Sequence, residues 1–369
     1  MTRTLEVVDA RDPGAVLDGL RRALSGDGPA ILPHVGAPTG LPETVEQRVA
    51  VVVETSGSTG RPKRVTLSAD ALLASAAASD VQLGGPGQWM LAVPTEYIAG
   101  VNVLVRSIAA ETEPVVMNPE GFTAERFVEA ASALTGERRF TSLVPTQLAR
   151  IIEADSALET LRSFDRILIG GQSVPVDLIA RALELGLNIT RTYGSTETSG
   201  GCVYDGVPIG NTKLRIVDDL IEIAGSVLAE GYLNDLRRTA FSFRDREGER
   251  WYRSDDMGEL HDGVLTVTGR VGDVIISGGV KVSLSEVEAA VRSLPGLQEA
   301  VVIAAPSPEW GEVPVVASVV GMPLDTLRDA VAAQLGRPAA PDRIMHLDAM
   351  PMLDSGKPDR VALAALALK

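Results

Sequence analysis

From Arg48 to about Leu187, short apolar runs rich in β-branched residues alternate with longer stretches in which apolar positions recur every three or four residues. The first pattern suits buried strands and the second suits helices, so the segment predicts βα units around a largely parallel sheet. Strands are expected at Val49 to Val53, Met90 to Val93, Pro114 to Met117, Thr141 to Val144 and Arg166 to Ile169. Helices are expected after Ser68, whose hydroxyl suits an N-cap, and at Thr123 to Leu134 and Val176 to Leu185.

After Gly210 the texture changes. KLRIV, LIEIA, GELHD and VLTVTG are short alternating runs broken by Gly, Asp and Asn, a pattern of antiparallel hairpins. A small β subdomain is expected to end near Thr268. Beyond it, helices at Leu284 to Arg292 and Leu324 to Leu335 flank the strand-like EAVVIAA and VPVVASVV, which makes an α+β C-terminal domain of roughly 100 residues. The expected fold class is therefore α/β followed by α+β.

Composition narrows the partners. The 369 residues allow about two or three domains, and 45% hydrophobic with 22% charged residues describes a globular chain. Thirty-four Lys and Arg against 49 Asp and Glu leave a net charge of −15, which repels nucleic acid and anionic membrane surfaces at long range. An anionic small molecule must then be held by local means: backbone N–H groups, a few cations and Mg²⁺. A lone cysteine, Cys202, and three His supply neither a disulfide nor an obvious zinc site. With a charged N-terminal stretch and no apolar run of about 18 residues, the expectation is a cytoplasmic protein. The sequence leaves a homodimer open.

Two loops carry candidate chemistry. Thr55, Ser56, Gly57, Ser58, Thr59, Gly60 and Lys63 follow an apolar strand and combine turning glycines, hydroxyl donors and a cation, which suits phosphate oxygens. It is not a Walker A loop, because no Gly-Lys-Ser/Thr stands at the required spacing. The bland alternative is a Gly/Ser surface turn. Tyr193, Gly194, Ser195, Thr196 and Glu197 follow the run LNITR, where a hydroxyl and a carboxylate could hold a phosphate and Mg²⁺ and a flat ring could face a base. Alone, the hexapeptide Thr192 to Glu197 is more often an ordinary loop than a site.

Together these residues resemble the adenylate-forming enzymes, a family that includes acyl-CoA synthetases, firefly luciferase and the adenylation domains of peptide synthetases. The first loop is similar to their TSGSTGxPKG and the second to their YGxTE. Tyr252 to Asp256 (YRSDD) resembles YRTGD, Gly269 to Lys281 resembles GRxDDxIxxGGxKV, and Pro351 to Arg360 (PMLDSGKPDR) resembles PxxxxGKxxR. The five stretches stand in the family's order from Thr55 to Arg360.

The resemblance implies a two-step reaction, in which a carboxylate attacks the α-phosphate of ATP and a thiol, that of CoA, then displaces AMP. It implies an adenylation core at 1–268, a hinge at 269–273 and a mobile lid at 274–369. By matching position, Ser56 to Lys63 would grip the β- and γ-phosphates, Thr196 the α-phosphate and Glu197 the Mg²⁺. Tyr193 would stack on adenine beside Gly170, Gly171 and Gln172, while Asp256 and Arg270 would hold the ribose. Lys357 would bridge the substrate carboxylate and the phosphate in the adenylation step, and Gly272 stands at the pivot. Gly279 and Lys281 match the thioester-step segment, although a Gly-Gly hairpin explains them as well.

Several positions depart from the pattern: Arg64 follows PK where Gly is usual, Asp255 replaces a Gly, and Ser283 replaces a Pro. Tyr97, in the segment reaching Gly100, stands about where the family often has His at the acyl pocket; a core aromatic is the alternative. The short stretch before Thr55 suggests that much of an N-terminal subdomain is missing, as in the compact actinobacterial 2-succinylbenzoate:CoA ligases, which the chain also resembles in YIAGVNVLVRS. An aromatic dicarboxylate needs a cation for its second carboxylate, and Arg106 is the candidate. Other readings remain: a different aryl- or acyl-acid:CoA ligase, an enzyme loading a carrier-protein thiol, or a silent nucleotide-binding protein.

Overall fold

A computed structural model describes residues 1–55, 63–117, 121–352 and 358–368. Packing divides the chain into two compact units, one comprising Met1–Arg215, Glu222–Arg253 and Leu260–Leu265, the other Ile216–Ile221, Ser254–Glu259 and Thr266–Lys369.

The larger unit contains two sheets. In one, Val115–Val116, Gln88–Leu91, Arg139–Leu143, Arg166–Ile169 and Ile189–Ser195 run parallel to their neighbours, and the antiparallel strands Gly200–Tyr204 and Val207–Pro208 continue from Ile189–Ser195. Helices Ala124–Ser132, Pro145–Ile152, Asp155–Arg162 and Val176–Glu184 set Phe127, Leu148, Ile151, Leu161 and Ala182 into one core with strand residues Ile167 and Ile169. These are the βα units expected from the apolar runs, with strand ends displaced by at most two residues and Arg166–Ile169 matched at both ends.

The other sheet was less legible. Thr2–Asp9, Ala30–His34 and Val49–Thr55 run parallel around helix Pro13–Ser25, whose ends carry plain signals: Asp12 accepts from the Ala15 N–H, Pro13 opens the helix and Gly26 closes it at φ +85°. Lys63–Ser68 then pairs antiparallel with Val49–Thr55, in register Thr55↔Lys63 and Val53↔Val65. The candidate phosphate loop therefore connects two antiparallel strands. Helix Ala69–Leu83 follows, with Ser68 as the N-cap that the sequence suggested.

Beyond Gly210 the expected hairpins form; Phe243–Arg246 pairs with the start of Glu249–His261 in register Phe243↔Tyr252. In the smaller unit, Val274–Ser277, Val280–Ser283, Val301–Ser307, Gly311–Ser318 and Arg343–His346 make a sheet covered by Leu284–Arg292, Leu324–Leu335 and Arg360–Ala367. Ser283, the departure from the usual Pro, accepts from the Glu286 N–H at 3.3 Å and so caps the first of these helices. Cys202 is buried on strand Gly200–Tyr204 of the larger unit, and burial pushes its thiol up to about 12.

Candidate active site

The hairpin base that carries the phosphate loop is braced. Thr55 Oγ1 donates to the Lys63 carbonyl at 3.3 Å, and Arg64 Nε meets Glu54 Oε2 at 2.7 Å. The same guanidinium donates to the Thr39 and Gly40 carbonyls at 2.7 and 3.2 Å, so the arginine that replaces a usual glycine has three partners to hold. Ser56, Gly57, Ser58, Thr59 and Gly60 lie outside the described residues. Lys63 is described, and its side chain points at Glu197.

Glu197 sits in the 3₁₀ turn Thr196–Thr198 at the end of Ile189–Ser195, and it is buried. The Lys63 ammonium reaches its Oε1 at 3.2 Å, and the Tyr232 hydroxyl donates to the same oxygen at 2.9 Å. Burial alone would raise the carboxyl, yet the Lys63 charge, a backbone N–H and these two donors outweigh it and hold the group below the usual carboxylate range. Burial and the adjacent carboxylate push the Tyr232 phenol up, so it remains a donor. A cavity of about 440 Å³ opens beside Lys63, lined by His34, Arg64, Tyr232 and Arg238 among others.

The turn itself is fixed from behind. Ser199 adopts φ +51°, and its carbonyl accepts from Ser75 Oγ at 3.0 Å and Asn102 Nδ2 at 2.9 Å, while its own hydroxyl donates to the Val227 carbonyl. Thr198 Oγ1 accepts from the Ser195 N–H and donates to the Gly200 carbonyl. A Cβ at Gly194 would collide with the Gly200 carbonyl, and one at Gly200 (φ +88°) with the Asn102 amide. Glycine is thus needed at both positions for the strands to close over the turn. Fixing Thr196 and Glu197 before any ligand arrives is the condition for preorganised charge stabilisation.

Along the same sheet, Gly170 lies so close to Thr192 that a Cβ would strike its hydroxyl, and Gly171 takes φ +81°. Gln172 Nε2 is buried and has no partner among the described residues. Tyr193, on strand Ile189–Ser195, stands beside a register shift that separates it from Gly194. Tyr97 caps helix Ile98–Ala109, and a Cβ at Gly100 would strike the Pro94 carbonyl, which fixes the helix entry tightly onto this turn.

Arg106 corrects the expectation. Its side chain is buried with 4% exposure, its guanidinium lies 4.8 Å from the Trp89 ring centroid, and it donates to the Tyr204 hydroxyl at 3.3 Å. It packs into the protein interior between helix and sheet, and the role of cation for a second substrate carboxylate does not fit that place.

In the smaller unit, Arg270 Nε lies 3.4 Å from Asp256 Oδ1, and Ser254 Oγ accepts from the Asp256 N–H at 3.1 Å. Asp255, the departure from Gly, comes within 3.9 Å of the same guanidinium. Gly272 lies in the turn Val271–Asp273 with no atom of the described residues within 4 Å of a would-be Cβ and no positive φ, so this conformation does not itself demand glycine. Gly278 and Gly279 take φ +57° and +81° at a tight hairpin, with Trp310 against the first, and Lys281 is exposed on the returning strand. Lys357 lies outside the described residues.

The AMP-binding enzyme family profile matches residues 8–233, and the AMP-binding enzyme C-terminal domain profile matches residues 286–357. The chain belongs to the AMP-binding enzymes. A probable 2-succinylbenzoate–CoA ligase of Mycobacterium tuberculosis is 39% identical over 380 residues, covering 98% of this chain and 97% of its own. A 2-succinylbenzoate–CoA ligase of Enterococcus faecalis is 27% identical, over 84% of this chain and 68% of its own. Among solved structures, the o-succinylbenzoate CoA synthetase of Bacillus subtilis in complex with the acyl-adenylate intermediate superposes with TM-score 0.77 at 25% identity, covering 97% of this chain and 82% of that one. The same enzyme with ATP and magnesium ion gives 0.74 at 26%, over 89% and 73%.

Within this AMP-binding enzyme, Lys63 and Glu197 were singled out separately from sequence, and the fold brings them together. Tyr232, Asn102, Ser75 and Ser199 were missed. Ser75, Asn102 and Tyr232 stand outside the motifs quoted for the two loops, and the strand pairing Tyr232↔Val65 brings Tyr232 to Glu197. No described helix is long and apolar enough to cross a membrane.

Proposed function

We propose that the chain is a 2-succinylbenzoate:CoA ligase of menaquinone synthesis. A carboxylate oxygen of the acid attacks the α-phosphorus of ATP, the bond to the bridging oxygen breaks, and pyrophosphate leaves. The CoA thiolate then attacks the acyl carbon, the C–O bond breaks, and AMP leaves. The observation that carries the reading is Glu197, a buried carboxylate neutralised by the lysine that closes the phosphate loop. The 39% identity with the Mycobacterium tuberculosis relative over nearly the whole chain supports the choice of acid.

Both steps bring anions together, so the protein's task is positioning and charge neutralisation. Mg²⁺ takes one or two carboxylates and completes its shell with phosphate and water oxygens. A single buried carboxylate, next in sequence to the buried Thr196, fits that demand, and among the described residues no cluster of three or more His, Cys, Asp or Glu offers a full protein cage. Glu197 would hold the ion, which when bound neutralises phosphate charge. In this reading Ser56 to Lys63 bind the β- and γ-phosphates, Thr196 binds the α-phosphate, and Tyr193 with Gly170, Gly171 and Gln172 receives adenine. Asp256 and Arg270 hold the ribose, and Lys357 bridges the two anions before thioester formation. Gly272 serves as the pivot of the lid at 274–369, Gly279 and Lys281 serve the thioester step, and Tyr97 and Gly100 border the acid. The reading includes a cytoplasmic setting and small-molecule partners only.

A pyrophosphate-exchange assay across a panel of carboxylic acids tests the first step, and CoA set against a carrier protein tests the second. Exchange with 2-succinylbenzoate and transfer to CoA are expected. Exchange with another acid alone removes the substrate assignment, and transfer only to a carrier protein removes the acceptor.

A further inference from the structure

We propose that Tyr232 is a positioning residue for Glu197, fixing the carboxylate in place while its counter-ion changes; the proposal rests on the reading of Glu197 as a magnesium ligand. In the structure both Lys63 and Tyr232 contact the same carboxylate oxygen, Oε1, but they are held very differently. Lys63 opens strand Lys63–Ser68 and carries its ammonium on a four-carbon stem, and a triphosphate attracts that ammonium away from Glu197. Tyr232 is anchored on every side. Its N–H donates to Thr239 Oγ1 at 2.9 Å, the preceding Gly231 carbonyl accepts from Thr66 Oγ1 at 3.1 Å, and a Cβ at Gly231 would strike Thr239. Its ring packs against Phe243 with centroids 6.0 Å apart and lies under the Arg238 guanidinium at 5.5 Å. The hydroxyl donates to Glu197 Oε1 at 2.9 Å.

When Lys63 moves to phosphate, Glu197 is a buried carboxylate that has lost its cation, a costly arrangement that favours rotation or protonation. The phenol keeps one hydrogen bond on Oε1 through that exchange, so the carboxylate meets an arriving divalent ion in one orientation.

The experiment is a Mn²⁺ titration followed by electron paramagnetic resonance, on the full chain with a non-hydrolysable ATP analogue. Tyr232→Phe should weaken Mn²⁺ binding about tenfold, the loss expected of one hydrogen bond to a charged group. Analogue binding without metal should stay within twofold. Incorporation of 4-aminophenylalanine at 232, which keeps the ring and restores a donor, should recover the affinity. Mn²⁺ affinity within twofold of the native chain in Tyr232→Phe, while Glu197→Gln weakens it tenfold or more, overturns the positioning role alone. Unchanged affinity in Glu197→Gln overturns the magnesium reading and this proposal with it. Should Tyr232→Phe fail to fold, a crystal structure of the native chain with Mg²⁺ and the analogue decides: Tyr232 Oη within hydrogen-bond distance of Glu197 supports the role, and a phenol turned away refutes it.

Discussion

Glu197 and Arg106 are both buried charges of the larger unit, and their surroundings differ in kind. At Glu197 one carboxylate oxygen receives an ammonium and a phenol, and the turn beneath it is tied down through Ser75, Asn102 and Thr198. At Arg106 the guanidinium lies over Trp89 and touches Tyr204, while Arg106 Nε, Trp89 Nε1 and nearby Asp80 Oδ1 are buried with no partner among the described residues. Burial raises the Asp80 carboxyl despite the Arg106 charge, whereas the net effect at Glu197 is a lowered one. A buried charge whose carboxylate is paired and whose backbone turn is hydrogen-bonded from behind is poised for a ligand. One packed on an aromatic face with orphaned neighbours fills space, and its charge has only weak compensation.

This contrast can be broken or sharpened by substitution. The largest effect is expected from Lys357→Ala, which removes a cation belonging to neither cluster: adenylate formation should fall by about two orders of magnitude or more, while thioester formation from supplied acyl-adenylate persists. Equal loss in separately assayed half-reactions would contradict its role. Glu197→Ala should lower the pyrophosphate-exchange rate by about a hundredfold and stability by about 3 kcal/mol, because Lys63 is left partly buried and uncompensated. Arg106→Met should cost about 1–3 kcal/mol in denaturant melts and leave the KM for the acid unchanged; a large rise in KM would return Arg106 to the substrate site.

The smallest effect tests the sign of the two carboxylates. Asp80 is raised in the folded state, so its ionisation is a cost absent below the ordinary carboxylate range of about 4 and growing as pH rises through its folded value. Asp80→Asn should therefore stabilise the chain by about 1 kcal/mol at pH 7, the advantage closing towards pH 4. Glu197 is lowered, so its contribution is complete above the ordinary range and disappears as pH falls through its folded value. Melting curves of the native chain, Asp80→Asn and Glu197→Gln from pH 3 to 7 read both slopes, and equal slopes would dissolve the distinction.

What the sequence discloses follows from the range of the interactions. Helices Leu284–Arg292 and Leu324–Leu335 match the expected bounds because caps and periodicity are local signals. Strand Lys63–Ser68 went unread because its residues follow the phosphate loop and its partner is chosen by a register set across the hairpin. Lys63 and Glu197 were legible as motif members, but not their contact across 134 positions. Arg106 misled for a related reason. A cation on an apolar helix reads as exposed chemistry until the Trp89 ring beneath it is known, and that ring is 17 positions away on a different element.

The sealed position of Cys202 has a practical use. With its sulfur enclosed and reluctant to ionise, maleimide reagents have no native thiol to attack in the folded chain. A single cysteine introduced at Val176, which is 82% exposed, and another beyond residue 274 would accept a dye pair cleanly, so that inter-unit distances during turnover become measurable by energy transfer without first engineering the wild-type thiol away.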